Sequence, residues 1–176
     1  MKAFVGQSIA DNIAAEDDFE LSSGLQGTRS DIVGLVEFNL NGRLSSTTRL
    51  RYDDDESALR RIDTSFRYRG DIFSLTGNYF RLDDATQIDD EAPNEEFRGA
   101  ATFNLNDNWS LRGNLTYDID TDNVRRQSYG ITYKDDCTRI DFLYRTRRVG
   151  NNAIRSTQGF SLRVTLISLG NFGTNQ

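Results

Sequence analysis

The sequence contains no histidine, and Cys137 is its only cysteine. A Ser–His–Asp triad and a zinc site built from cysteine and histidine are therefore both excluded. Most hydrolase mechanisms are also excluded, because they rely on a histidine. We therefore expect a protein that is not an enzyme and that has no catalytic, cofactor-binding or metal-binding residues. Cys137 could form a disulfide only with a cysteine outside this sequence.

Long apolar runs are also absent. No stretch approaches the roughly 20 apolar residues that a membrane-spanning helix needs. The hydrophobic fraction is 36% and the mean hydropathy is −0.61. A transmembrane β-barrel has the same polar average, because its strands place an apolar residue at only every second position. The net charge of −6 disfavours binding to nucleic acid.

Lysine is rare, since only Lys2 and Lys134 are lysines and every other basic residue is an arginine. The planar guanidinium group pairs with carboxylate or phosphate through two hydrogen bonds and tolerates partial burial. A charge-rich interior would use this property. A GC-rich coding sequence would give the same bias.

Apolar residues alternate with polar ones almost everywhere, which predicts an all-β protein. In one segment Trp109, Leu111 and Leu115 fall on one face, and Arg112 and Asn114 on the other. The predicted strands are Ala3–Ile9, Asp31–Leu40, Leu44–Tyr52, Leu59–Tyr68, Ile72–Leu82, Glu96–Leu105, Trp109–Ile119, Val124–Tyr133, Thr138–Arg145 and Gly159–Leu169.

Strand length and loop length favour a barrel over a soluble β-sandwich. Most predicted strands run to about 9–11 residues, as tilted membrane-spanning strands do. Tight turns and longer links alternate, as they do around an outer-membrane barrel. The tight turns are Asn41-Gly42, Arg69–Asp71, Asn106–Asn108 and Lys134–Asp136. The longer links are Ala10–Ser30, Asp53–Ala58, Asp83–Glu95, Asp120–Asn123 and Thr146–Gln158.

We therefore predict one domain over residues 1–176: an antiparallel up-and-down transmembrane β-barrel of about ten strands. Its hydrophilic face carries a set of arginines that we expect to line the lumen. The acidic run Asp53–Glu56 is expected to be a solvated loop. The arginines of the hydrophilic face are Arg49, Arg51, Arg61, Arg67, Arg98, Arg112, Arg139 and Arg163.

The end of the chain resembles a known family. Two segments are similar to the C-terminal part of LptD proteins. Tyr133–Arg145 has a cysteine at the start of the penultimate strand, and Gln158–Gly170 contains an aliphatic last strand that closes in Leu-Gly. Weaker similarities occur at Val5–Ser8, Ser22–Leu25, Arg29–Asp31 and Asp107–Ser110. The resemblance extends over nearly the whole chain, although only the first two segments are specific.

This resemblance implies a role in placing lipopolysaccharide in the outer leaflet of a Gram-negative outer membrane. The implied partners are lipopolysaccharide, an LptE-like lipoprotein, a periplasmic lipopolysaccharide-bridge protein and outer-membrane lipids, without nucleic acid. The last strand would form one side of a lateral gate through Phe160, Leu162, Val164 and Leu166.

The resemblance also implies a disulfide from Cys137 to a periplasmic domain outside this sequence. Family members commonly carry two adjacent cysteines here, whereas Cys137 lies between Asp136 and Thr138. A free thiol without a role is the alternative.

Three architectures remain open from the sequence. The first is a segment of a larger LptD-like barrel wall. The second is a stand-alone small barrel with a porin-like or structural role, and the third is a soluble sandwich. A stand-alone barrel requires Ala3–Ile9 to pair with Gly159–Leu169, whereas a segment of a larger wall leaves both edges open.

Overall fold

The computed structural model describes residues 1–9, 29–83, 94–148 and 156–167. These residues form one antiparallel sheet in which the ten strands lie side by side in chain order. The strands are β1 (Lys2–Gly6), β2 (Ile32–Leu40), β3 (Leu44–Asp53), β4 (Ala58–Arg69), β5 (Phe73–Leu82), β6 (Glu95–Asn104), β7 (Trp109–Asp118), β8 (Asn123–Lys134), β9 (Thr138–Arg148) and β10 (Ser156–Leu166).

The predicted all-β, up-and-down order is confirmed, with corrections at both edges. β1 ends at Gly6 instead of Ile9, which forms only an isolated bridge to Arg29. β10 begins earlier than predicted, at Ser156. It ends at Leu166, so Ile167 lies outside the strand, and the predicted last residues 168 and 169 lie outside the described residues, as does most of the link 10–30.

The two ends of the sheet differ in their connections. We call the end with connections 41–43, 70–72, 105–108 and 135–137 the turn rim, and the opposite end the loop rim. Two links predicted to be long are short, since only 54–57 separate β3 from β4 and 119–122 separate β7 from β8. The predicted contrast between the rims therefore rests on the links after β1, β5 and β9.

The sheet is a single layer. Among the described residues no hydrophobic side chain is buried, so there is no core of the kind that two packed sheets would make. All strands belong to one sheet, which rules out the sandwich alternative. The described part also contains no helix long and apolar enough to cross a membrane.

Aromatic rings cluster on the apolar face next to the turn rim. Trp109 lies opposite Tyr133 with ring centroids 4.9 Å apart, and Tyr68 and Phe73 are 4.8 Å apart. Aromatic rings at this level are typical of the girdles of outer-membrane barrels.

Candidate functional site on the polar face

The strand register shows which residues of different strands lie on the same face of the sheet. Directly opposed residues point to the same side, so Arg49 shares a face with Asp63, and Asp141 with Arg163. By the same rule and by the alternation along each strand, every arginine predicted to share a hydrophilic face lies on this side. We call it the polar face. These residues are Arg49, Arg51, Arg61, Arg67, Arg98, Arg112, Arg139 and Arg163.

Asp141 is the centre of an ion network near the turn rim. Its carboxylate accepts hydrogen bonds from Arg139 Nε at 2.8 Å and from the Thr132 hydroxyl at 2.6 Å. Arg112 lies 3.6 Å away and donates to Thr132 at 3.2 Å. The network joins β7, β8 and β9 and holds two of the predicted arginines around one carboxylate.

Other predicted arginines are neutralised in pairs. Arg51 Nε lies 3.0 Å from Asp31, and Arg61 Nε lies 2.6 Å from Asp63. In the described part of the chain, Arg49, Arg67 and Arg163 form no ion pair within 4.0 Å. The predicted arginines are therefore brought onto one surface but do not converge on one point.

Two buried carboxylates, Glu96 and Asp118, lie directly opposite each other near the loop rim. Each has its own cation: Arg98 donates to Glu96, and Arg125 Nη1 lies 3.7 Å from Asp118. The cations offset the repulsion that two neighbouring carboxylates would otherwise feel. This pair was not predicted from the sequence, although each residue lies at one end of an alternating polar series.

Arg60 is buried and is held by three carboxylates, two from the acidic run Asp53–Glu56 and one from the residue that follows β5. It donates to Asp53 at 2.8 Å, to Glu56 at 2.6 Å and to Asp83 at 2.6 Å. The expectation of a solvated loop is therefore wrong for Asp53, whose side chain is 18% exposed, whereas Glu56 remains 68% exposed although it pairs with Arg60.

Cys137 is exposed in the β8–β9 turn, on the turn rim. The Asp135 carboxylate accepts hydrogen bonds from two backbone N–H groups, that of Cys137 at 2.9 Å and that of Thr138 at 2.6 Å. These two backbone hydrogen bonds lower the pKa of Asp135. On the loop rim, burial is the main cause that raises the pKa of Asp31.

The predicted gate residues lie on the apolar face of β10, the last strand of the sheet. Phe160 is 72% and Leu162 68% exposed. Phe160 packs against Tyr144 with centroids 4.9 Å apart. In the described residues β10 pairs only with β9 and β1 only with β2, so both edges of the sheet are open.

No group of three or more histidine, cysteine, aspartate or glutamate side chains is placed to hold a metal ion in the part of the chain that the structure describes. The polar face can bind anions through its arginines and polar saccharides through its Ser, Thr and Asn side chains.

The family model described as "LptD: LPS transport system D" matches residues 1–87 and 75–174. These two matches together extend over nearly the whole chain. The chain belongs to the LptD family. A search of the curated proteins found no match. The LptD family is a lipopolysaccharide transport family, and the predicted membership is confirmed.

Proposed function

We propose that this LptD-family chain forms part of the wall of a barrel in the Gram-negative outer membrane and takes part in moving lipopolysaccharide to the outer leaflet. The observation that carries the proposal is the two-faced single layer. One face is lined by ion networks, and the other exposes apolar side chains with no covering layer in the described residues. Lipid on one side and a watery lumen on the other satisfy both faces.

The charged face would line the lumen, where the saccharide part of lipopolysaccharide passes. An LptE-like lipoprotein in the lumen and a periplasmic lipopolysaccharide-bridge protein are the partners that the family resemblance supplies. The turn rim would face the periplasm, because short turns lie on that side of outer-membrane barrels. Cys137 is exposed on this rim, where a disulfide to a periplasmic domain could form.

β10 would form one side of a lateral gate. Its apolar residues are the most exposed large side chains at that edge, with Phe160, Leu162 and Val164 at 72%, 68% and 58%. Its polar face continues the lumen surface through Arg163, opposite Asp141. A strand with a lipid-facing and a lumen-facing side at an open edge suits a lipid that carries a large polar group.

The assignment of the two faces is tested by labelling neighbouring positions in mid-strand β7. Leu115→Cys and Thr116→Cys, each with Cys137→Ser, are reconstituted in lipid vesicles and treated with a water-soluble maleimide. We expect Thr116→Cys to react and Leu115→Cys to be protected. Equal labelling of both would contradict the lipid-facing assignment.

The gate is tested by photo-crosslinking in cells. A photoreactive amino acid at Leu162 on β10 should form adducts with lipopolysaccharide, and the same group at Leu111 should form far fewer. Leu111 is the control because it lies on the same apolar face in the interior of the sheet. Equal yields at both positions would overturn the gate.

The stand-alone barrel is the second candidate. The open edges of the sheet favour the segment of a larger wall over it. Disulfide formation between cysteines placed at positions 5 and 164 separates the two.

A further inference from the structure

The chain contains the same loop-rim hairpin twice. The pattern Tyr-Asp-x-Asp followed by x-x-x, Leu or Val, and Arg-Arg occurs at 52–61 and again at 117–126. Both copies have a register shift, at Arg51/Tyr52 and at Thr116/Tyr117. Both also place a residue with positive φ before the second strand, Ser57 at 53° and Asp122 at 54°. The two hairpins therefore allow a position-by-position comparison.

In the first copy both arginines are neutralised inside the chain. Arg60 has three carboxylate partners, as described above. Arg61 is held by Asp63, two residues further along the same strand, at 2.6 Å. Its neighbours across are the uncharged Leu82 on β5 and Arg51 on β3, which has its own anion, Asp31, at 3.0 Å.

In the second copy the equivalent anion is missing. Arg125 keeps Asp118 at 3.7 Å, but the position equivalent to Asp63 is Ser128, which accepts a hydrogen bond from Asn114 at 3.0 Å. Across on β9, Arg126 faces Arg147 where the first copy has leucine. Like charges directly opposite each other destabilise a sheet unless an anion lies between them.

A third arginine completes the group. Arg145 is two residues from Arg147 on β9 and lies opposite Ser128, so it is the diagonal neighbour of Arg126. Neighbours of this kind have Cα atoms about 7–8 Å apart or closer, within reach of long side chains. All three arginines are exposed, and within the described residues none of them forms an ion pair within 4.0 Å. We call Arg126, Arg145 and Arg147 the arginine triad.

We propose that the arginine triad is a phosphate-binding site on the polar face. Guanidinium groups pair with phosphate oxygens through parallel hydrogen bonds, and a doubly charged phosphate relieves the repulsion among three cations. An open groove of about 370 Å³ runs beside Arg126 and is lined by Asn114, Thr116 and Ser128, which can hold sugar hydroxyls. This deepens the proposed function and rests on it for the carrier of the phosphate, lipopolysaccharide.

Calorimetric titration of the full chain in detergent micelles tests the site. The probes are lipopolysaccharide, the same lipopolysaccharide after enzymatic dephosphorylation, and inorganic pyrophosphate. We expect the phosphorylated lipid and pyrophosphate to bind, and the double variant R126Q/R147Q to weaken both by at least about tenfold. R81Q is the matched control, because Arg81 is also an exposed arginine near the loop rim but lies on the apolar face.

Ser128→Asp is the second variant. It restores the internal anion of the first copy, so it should weaken pyrophosphate binding by a similar factor and raise the unfolding temperature. R126Q/R147Q should also remain folded, since it removes a like-charge contact. Unchanged pyrophosphate binding in a folded R126Q/R147Q, or an equal loss in R81Q, would overturn the site.

The source of the phosphate is identified by comparing the affinities for phosphorylated and dephosphorylated lipopolysaccharide. Tighter binding of the phosphorylated lipid, lost in the double variant, supports both the site and its ligand. Triad-dependent binding of pyrophosphate with no difference between the two lipids would support an anion site and contradict the role of lipopolysaccharide as its ligand.

Discussion

Gly77 of β5 lies directly opposite Phe66 of β4, and the phenyl ring covers the glycine. A Cβ atom added at Gly77 would overlap the ring. The glycine is buried although it lies on the apolar face of a single-layer sheet. The ring therefore provides locally the cover that a second layer would provide in a soluble protein.

Gly77→Ala should destabilise the sheet, because the ring of Phe66 must move away and lose its packing. We expect a loss of about 1–3 kcal/mol in the free energy of unfolding, the usual cost of overpacking. Gly113→Ala is the control, since the nearest atom to its added Cβ would be Tyr129 Cδ1 at 3.9 Å. Urea unfolding in detergent should separate the two variants, and equal stabilities would contradict the overlap.

The repeated hairpin predicts unequal effects at equivalent arginines. Arg60→Met removes a side chain that is 4% exposed and leaves three carboxylates together, so it should cost about 3 kcal/mol. Arg125→Met should cost less, because Arg125 is 35% exposed and its removal leaves one buried carboxylate, Asp118 at 3.7 Å, without its cation instead of three carboxylates. Thermal unfolding of both variants in the same detergent gives the comparison. Equal losses would show that burial of Arg60 does not matter.

The alternation of residues was sufficient to predict the ten strands and the shared face of the arginines that were assigned to the hydrophilic side. It works because the side-chain period of a strand is two and the register is fixed by direct opposition. The links 54–57 and 119–122 were grouped with the longer loops, because polar composition alone does not separate a tight turn from a loop.

The charge network at Arg60 could not be predicted by alternation. Strict alternation places Arg60 on the same side as Ile62, away from Asp63. The register shift at Arg51/Tyr52 inserts Arg60 as the extra residue of the strand and lets its guanidinium reach Asp53. The direction of a side chain at a register shift departs from the two-residue alternation, so it can be assigned only once the strand pairing is known.

The pH dependence of stability should include a contribution from Asp135. Its folded-state pKa is lowered by the backbone N–H groups of Cys137 and Thr138. A lowered pKa means that the stabilisation is present above the unfolded value of 3.8 and is lost as the pH falls through the folded value. Asp135→Asn should therefore remove part of the loss of stability below about pH 4.

Asp136→Asn is the control, because within the described residues the Asp136 side chain forms no hydrogen bond. Unfolding temperatures measured from pH 3 to pH 7 should show a flatter acid limb for Asp135→Asn alone. A parallel change in both variants would assign the effect to net charge instead of the turn.

The open edges predict that β1 and β10 do not meet. Val5 and Val164 both lie on the apolar face, in the outermost strands of the sheet. Cysteines at both positions, with Cys137→Ser, should form no disulfide under mild oxidation, because a crosslink needs Cα atoms within about 7 Å. A pair in neighbouring strands, Leu162→Cys with Phe142→Cys, is the positive control, since these residues are directly opposed. Efficient crosslinking of positions 5 and 164 would require the sheet to close on itself. It would contradict the interpretation as a segment of a larger wall and favour a stand-alone barrel whose lumen is bounded by these ten strands.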